Sequence, residues 1–161
     1  MSANNDESGR EAGRLLGVTD WIRVSQDMFS SFETLTLSND PLHMDPQWVR
    51  QHTELAGTIA PGFLTLSLLP YWASQLRLIP EGHHAINYGF DRIRWIAPVP
   101  AGAEIRARFV DDGTVPRPTG RPGWIVRFEV TIELRGTDRP AMVATWLGAV
   151  IPDAASAETD G

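Results

Sequence analysis

The stretch that decides the fold reads IAPGFLTLSLL at residues 59–69. Pro61 suits the first turn of a helix, because the N–H that proline lacks would have no partner there. The residues after Pro61 are apolar on nearly every face, so a helix here must be wrapped by other structure. Pro70 follows and predicts a kink or an early stop. The stretch therefore predicts a buried, interrupted helix.

The residues before this helix predict a short strand and further helices. Residues 20–24 alternate in polarity, as in a strand. Ser25 then suits an N-cap with Asp27 in the first turn, and an apolar stripe follows through residues 28–35. Pro46 suits the start of another helix that ends near residue 54. We expect the early strand to join a sheet formed later in the chain.

Beyond residue 84 the pattern changes to strands. Segments rich in Val, Ile, Phe, Trp and Thr are bounded by Pro and Gly, which is typical of an antiparallel sheet. The order of helices first and strands afterwards predicts the α+β class, with one buried helix against a curved sheet. The predicted strands are 85–96, 103–110, 124–134 and 141–151, and the obvious connections are 98–102 and 114–123.

The chain length indicates one domain. A chain of 161 residues, 42% of them hydrophobic, can bury a single core. No linker or repeat interrupts it. We expect a flexible N-terminal tail over residues 1–15, a single domain over 16–151 and a disordered tail over 152–161, where small polar and acidic residues dominate.

Composition excludes several classes of function. A net charge of −6 disfavours binding to nucleic acid or to an anionic membrane. The absence of cysteine excludes a disulfide scaffold, a thiolate nucleophile and a zinc site built on cysteine. The N-terminus lacks the features of a signal peptide, and the longest apolar stretch is too short and too interrupted to span a bilayer. We therefore predict a cytoplasmic protein without a metal.

Two segments carry candidate chemistry. The first reads NDPLHMDP at residues 39–46 and places His43 between Asp40 and Asp45. The second begins the apolar helix, where the Gly62 N–H has no partner within the helix. An imidazole is a suitable acid or base near neutral pH, and a free N–H can stabilise an oxyanion. The alternative is an ordinary turn with a solvated histidine, in which Asp40 and Asp45 cap the chain ahead of prolines.

Three ordered segments resemble a known family. They are TLSNDPLHMD at residues 36–45, IAPGFLTLSLL at 59–69, and NYGFDRIRW at 87–95 followed by PVPAG at 98–102. Together they resemble the MaoC-like (R)-specific enoyl-CoA hydratases and dehydratases, especially the branch related to nodulation protein N. The resemblance extends from about residue 21 to residue 151.

The resemblance implies a hotdog fold, in which the sheet wraps around the helix at 63–69. It implies a homodimer whose acyl-thioester tunnels lie near the interface. The expected reaction adds or removes water at a 2-enoyl thioester of coenzyme A or of an acyl carrier, with no further cofactor. His43 would be the acid or base, and the Gly62 N–H would contact the thioester oxygen.

The resemblance also implies the residues that bind the substrate. We expect Asn39, Pro61, Phe63, Leu64 and Ser67 to line the acyl site. Arg92 and Arg94 on the predicted strand could meet the coenzyme phosphates, although solvated or interface roles fit them equally.

The chain departs from the family pattern at the site. The catalytic Asp of the family, five residues before the His, is replaced by Ser38, which cannot act as a carboxylate. Pro61 stands where the family usually has His, and Leu37 where it has Gly.

Three interpretations stay open. Asp40 replaces the missing carboxylate and joins Ser38 in orienting water; the scaffold serves an elimination, isomerisation or cyclisation; or the chain is a non-catalytic subunit that binds acyl thioester.

Overall fold

A computed structural model describes residues 12–154 of the chain. The strands are β1 (Leu15–Val18), β2 (Ile22–Arg23), β3 (His83–Trp95), β4 (Glu104–Pro116), β5 (Trp124–Leu134) and β6 (Met142–Pro152). The helices are α1 (Gln26–Leu35), α2 (Pro41–Met44), α3 (Pro46–His52), α4 (Gly62–Ser67) and α5 (Leu69–Gln75). Helices before the four long strands give the α+β order expected from the sequence.

All the strands join one antiparallel sheet in the order β1-β4-β5-β6-β3, with β2 also pairing with β4. Alternate residues of β5 face the core and are buried, which is the two-residue period of a half-covered strand. They are Val126, Phe128, Val130 and Ile132. β3 lies at the edge of the sheet and pairs only with β6 among the described strands.

One strand prediction was too short. β4 continues to Pro116, so the predicted loop at 114–123 begins only at Arg117 and contains a short 3-10 helix at Pro118–Gly120. The extension passes through a bulge between Asp111 and Thr114. Gly113 adopts a φ of 90°, which glycine tolerates without strain, and its N–H donates to Asp111 Oδ1 at 2.9 Å. The bulge lets the strand continue where the sequence indicated a turn.

The sheet also extends slightly past both predicted domain limits. Leu15 begins β1, and the Asp111 N–H donates to the Arg14 carbonyl at 2.8 Å. Pro152 ends β6, and the Asp153 N–H donates to the Gly82 carbonyl at 2.8 Å. The rest of the predicted tails, residues 1–11 and 155–161, lies outside the described residues.

The apolar stretch forms the central helix, as predicted, in two pieces. α4 ends and α5 begins on either side of Leu68, because Pro70 cannot donate the backbone hydrogen bond that would continue one helix. Leu64, Leu69 and Trp72 are buried against the concave face of the sheet. No helix within residues 12–154 has the length and apolar character needed to cross a membrane.

The helices before the centre are fixed by caps. Ser25 Oγ accepts from the Met28 N–H at 3.3 Å, as predicted for the N-cap of α1. Asp45 Oδ1 accepts from the Gln47 and Trp48 N–H groups at 2.8 and 3.0 Å, so this residue caps α3. The segment around His43, for which the sequence offered an ordinary turn, forms the four-residue helix α2. These caps set the position of His43 relative to α4.

Candidate active site

A cavity of about 670 Å³ lies between α1, α2, α4 and the sheet. Its lining contains residues that the sequence singled out. The lining residues are Phe32, Glu33, Thr36, Ser38, Asp40, His43, Pro61, Gly62, Phe63, Leu66, Ser67, Leu69, Pro70, Asn87, Phe90 and Trp146. A mostly apolar pocket with a few polar groups in one region is the form that binding sites for small acyl ligands take.

His43 is held at the cavity by contacts from two directions. Its main-chain carbonyl accepts from Gln26 Nε2 at 2.8 Å, and the side-chain oxygen Oε1 of Gln26 accepts from the Thr58 hydroxyl at 2.5 Å. Its ring nitrogen Nδ1 lies 2.8 Å from the Ile59 carbonyl oxygen. A carbonyl only accepts, so Nδ1 must carry the proton. In the neutral ring, Nε2 then has a free lone pair and can act as a base.

The start of α4 lies beside His43 and is fixed by Trp95. The indole Nε1 donates to the Gly62 carbonyl at 2.9 Å and lies 3.3 Å from the Thr65 hydroxyl oxygen. A Cβ on Gly62 would lie 2.8 Å from the indole ring, so a residue with a side chain does not fit without displacement. The Gly62 N–H is in the first turn, where helix amides have no partner within the helix.

Ser38 and Asp40, the two candidates for holding water, both line the cavity. Ser38 therefore borders the space that a ligand would occupy. Asp40 is exposed and performs the alternative role considered for it, since its Oδ1 accepts from the Leu42 N–H at 2.9 Å and caps α2. The capping bond occupies one carboxylate oxygen of Asp40.

Glu33 is a site residue that the sequence reasoning missed. It lies on α1, is only 2% exposed and lines the cavity. Its Oε2 accepts from the Asp40 N–H at 3.2 Å. The apolar stripe predicted for α1 continued to Leu35, but that residue is 81% exposed. The spacing in the sequence could have indicated its burial, because Glu33 follows the buried Phe29 by four residues and so lies on the same face of α1.

The remaining predicted substrate residues divide into two groups. Pro61, Phe63 and Ser67 line the cavity, and Phe63 is 67% exposed with its ring centroid 5.4 Å from that of Trp95. Leu64 instead packs in the core, because its position on α4 faces the sheet. Asn39 is exposed beside the cavity and is not among its lining residues.

The two arginines lie apart from the cavity. Arg92 and Arg94 are exposed on β3, and Arg94 donates to its neighbour's carbonyl, that of Ile93, at 2.7 Å. The pairing of β3 with β6 is regular from Arg92 to Trp95, so the two arginines lie on one face of the strand. Neither of them lines a described cavity that contains His43.

A second cavity of about 660 Å³ adjoins the first. Pro70, Asn87 and Trp146 line both. The Trp146 indole is 7% exposed, and its Nε1 donates to Asn87 Oδ1 at 3.2 Å. This pair therefore forms a wall between the two spaces.

Comparison with known proteins identifies the fold and the family. The structure matches that of the monoamine oxidase regulatory protein from Archaeoglobus fulgius with a TM-score of 0.74 and 20% identity, over 89% of this chain and 92% of that one. Solved (R)-hydratases also match, and the fold is the hotdog fold expected from the sequence. The family model described as "MaoC like domain" matches residues 7–119.

Two relatives extend the likeness over most of the chain. Nodulation protein N of Rhizobium leguminosarum bv. viciae is 37% identical over 136 residues, which cover 84% of this chain and 83% of that protein. The 3-hydroxyacyl-thioester dehydratase Z of Mycobacterium tuberculosis is 34% identical over 133 residues, which cover 83% and 86%. The chain belongs to the MaoC-like family of hydratases and dehydratases.

Proposed function

We propose that this protein adds water to, or removes it from, the double bond of a 2-enoyl thioester. His43 is the acid and base, and the Gly62 N–H is the oxyanion donor. The observation that carries the proposal is the bond from His43 Nδ1 to the Ile59 carbonyl, which leaves Nε2 available as a base beside the start of α4. The similarity to a thioester dehydratase supports the same class of substrate.

The dehydration direction needs one proton to move twice. His43 Nε2 takes a proton from the α-carbon of a 3-hydroxyacyl thioester, and the electron pair moves towards the thioester oxygen. The Gly62 N–H stabilises the charge that develops there. The pair then forms the double bond as the bond from the β-carbon to its hydroxyl breaks. His43 returns the proton to the hydroxyl, which leaves as water, and hydration is the reverse.

The neighbouring residues supply the rest of the site. Phe63, Leu66 and Phe90 offer an apolar surface to an acyl chain, and the Ser38 hydroxyl can hold the water. Asp40 is a weaker candidate for this role because it caps α2. The substrate carries its own coenzyme A or acyl carrier, and no further cofactor enters the proposed steps. Arg92 and Arg94 remain candidates for the coenzyme phosphates only if a second protomer brings them near the site.

A homodimer is part of the proposal. β3 is a thirteen-residue edge strand, and Ile86, Tyr88 and Trp95 expose large apolar side chains along it. An unpaired edge of this length invites pairing with another strand. Two copies joined along β3 would bring the cavities towards the interface. Light scattering during gel filtration tests this, and a monomer at micromolar concentration would contradict it.

A second candidate function is binding of acyl thioester without catalysis, as a subunit of a larger complex. The observation that favours it is Ser38, which stands where the family has its catalytic Asp. In this case the cavity would bind the acyl chain while another chain performed the reaction. Both candidate functions predict that the protein binds acyl thioesters, but only the first predicts that it converts them.

The deciding experiment incubates the purified protein with short, medium and long 2-enoyl-CoA thioesters and follows loss of the conjugated double bond. We expect turnover that His43→Ala lowers by about 10²–10⁴-fold. His52→Ala is the matched control, because His52 is exposed, lines neither cavity and stacks on the Trp48 indole. Tight binding without turnover at any chain length would favour the subunit, and absence of binding would indicate another substrate.

A further inference from the structure

We propose that Glu33 is the catalytic carboxylate of this site, in place of the Asp that the family has at the position of Ser38. This inference rests on the proposed function, because it assigns the group that orients water for His43. It differs from the expectation that Asp40 fills the gap. Glu33 comes from another helix and lies outside the sequence motif.

The environment of Glu33 is unusual for a structural carboxylate. Its side chain is 2% exposed, and carboxylates are seldom buried to this degree unless they are paired. Within residues 12–154 no Lys, Arg or His nitrogen lies within 4.0 Å of it in an ion pair. The only hydrogen bond found there for its carboxylate is the one from the Asp40 N–H to Oε2, at 3.2 Å. A buried carboxylate with a single hydrogen-bond donor keeps acceptor capacity for a ligand.

The position of Glu33 fits the missing group. Its carboxylate contacts the backbone of the segment that carries Ser38 and Asp40, and the Ser38 N–H donates to the Glu33 carbonyl at 2.9 Å. Glu33, Ser38 and His43 line the same cavity. Within residues 12–154 the carboxylate and the imidazole form no direct ion pair within 4.0 Å, so in the proposal a substrate or water oxygen lies between them. Glu33 therefore borders the same cavity as position 38, where the family has its Asp.

The role follows from what a carboxylate does beside a base. In dehydration, the free oxygen Oε1 accepts a hydrogen bond from the β-hydroxyl of the substrate and holds its oxygen where His43 can return the proton. In hydration, the same oxygen holds the attacking water with its lone pair towards the β-carbon. Glu33 neither gains nor loses a proton overall, and the transferred proton remains the one carried by His43. Its contribution is orientation of the oxygen that forms or breaks the bond.

A purely structural role predicts a different outcome on substitution. If Glu33 only anchors the Asp40 N–H, then Gln can replace it, because an amide oxygen accepts the same hydrogen bond. Glu33→Gln keeps the size and that acceptor but loses the charge. The proposal expects kcat to fall by about 10²–10⁴-fold, with KM and the melting temperature close to those of the wild type. Glu129→Gln is the matched control, since Glu129 is exposed on β5 and lines neither cavity.

A second substitution that restores activity distinguishes a catalytic carboxylate from a structural one. Adding Ser38→Asp to Glu33→Gln puts a carboxylate where the family has its Asp, and we expect kcat to recover at least tenfold. If the Gln variant does not fold, Glu33→Asp tests the same role, because it keeps the carboxylate but draws it back by the length of one methylene group. A misplacement of this size should lower kcat by about 10–100-fold.

The results separate the two proposals. Wild-type turnover that His43→Ala abolishes but Glu33→Gln preserves would overturn the role of Glu33 and keep the proposed function. Loss of turnover without recovery in the double variant, or a wild-type kcat in Glu33→Asp, would overturn it as well. A wild type without turnover on any enoyl thioester would remove the proposed function itself, and the role of Glu33 with it.

Discussion

Gly62→Ala tests whether the start of α4 is held against Trp95. An added Cβ would lie 2.8 Å from Cε2, 2.9 Å from Nε1 and 3.2 Å from Cδ2 of the indole. All three distances are shorter than ordinary van der Waals contact. The ring is rigid, so it cannot yield by bending and must swing as a whole. Trp95 is 44% exposed, which gives it room to move outward.

The magnitude follows from opposing contributions. Overpacking a well-fitted contact typically costs about 1–3 kcal/mol, and the exposed side of the ring favours the lower end. If the indole moves, its hydrogen bond to the Gly62 carbonyl is also weakened, at about 0.5–1.5 kcal/mol. Replacing glycine by alanine stabilises the folded protein by about 0.4–1 kcal/mol, because alanine lowers the conformational entropy of the unfolded chain. We expect a net loss of about 1–2 kcal/mol in the free energy of unfolding.

Thermal and urea unfolding followed by circular dichroism measure this loss. For a chain of this size, each kcal/mol lowers Tm by about 2–4 °C, so we expect a decrease of about 2–8 °C. The control makes the same Gly62→Ala change in a Trp95→Leu protein, where the side chain at residue 95 is smaller and the indole hydrogen bond is already absent. In that protein the change should leave the free energy of unfolding nearly unaltered. A Gly62→Ala protein as stable as the wild type, or an equal loss in both backgrounds, would refute the reasoning.

Three further substitutions test the caps and the wall between the cavities by urea unfolding. Ser25→Ala removes the acceptor for the Met28 N–H, and we expect a loss of about 0.5–2 kcal/mol. Asp45→Ala leaves two amides of α3 without their acceptor and should cost a similar amount, whereas Asp138→Ala on the surface should not. Trp146→Ala should cost about 3–5 kcal/mol and join the two cavities, and an unchanged stability would contradict its place in the core.

Elements with strong local signals could be predicted closely. β5 has the predicted bounds because its period of two and its flanking glycine and turn residues agree. The caps at Ser25 and Asp45 were predictable because a side-chain oxygen before a helix acts within three residues. The break near Pro70 follows from the missing N–H of proline alone. Each of these depends only on neighbours in the sequence.

Predictions failed where the local sequence does not reveal the structure. β4 continues to Pro116 because β5 pairs with it beyond the bulge, although its own residues favour a turn. The four-residue α2 is too short to show a helical period. Leu35 was placed in the stripe of α1, but its side chain is 81% exposed. Of the three, the extension of β4 is the one that a distant strand decides.

The candidate site shows the same division. His43 and Gly62 could be found because each belongs to a segment whose motif is continuous in sequence. The carboxylate was sought five residues before His43, where linear spacing puts it, and Ser38 stands there. What the chemistry requires is a carboxylate that faces the cavity, and any element that borders the cavity can provide one. α1 borders it, and it turns Glu33 inward on the face that it shares with Phe29. A missing motif residue is therefore a reason to search the cavity wall before the activity of the family is discounted.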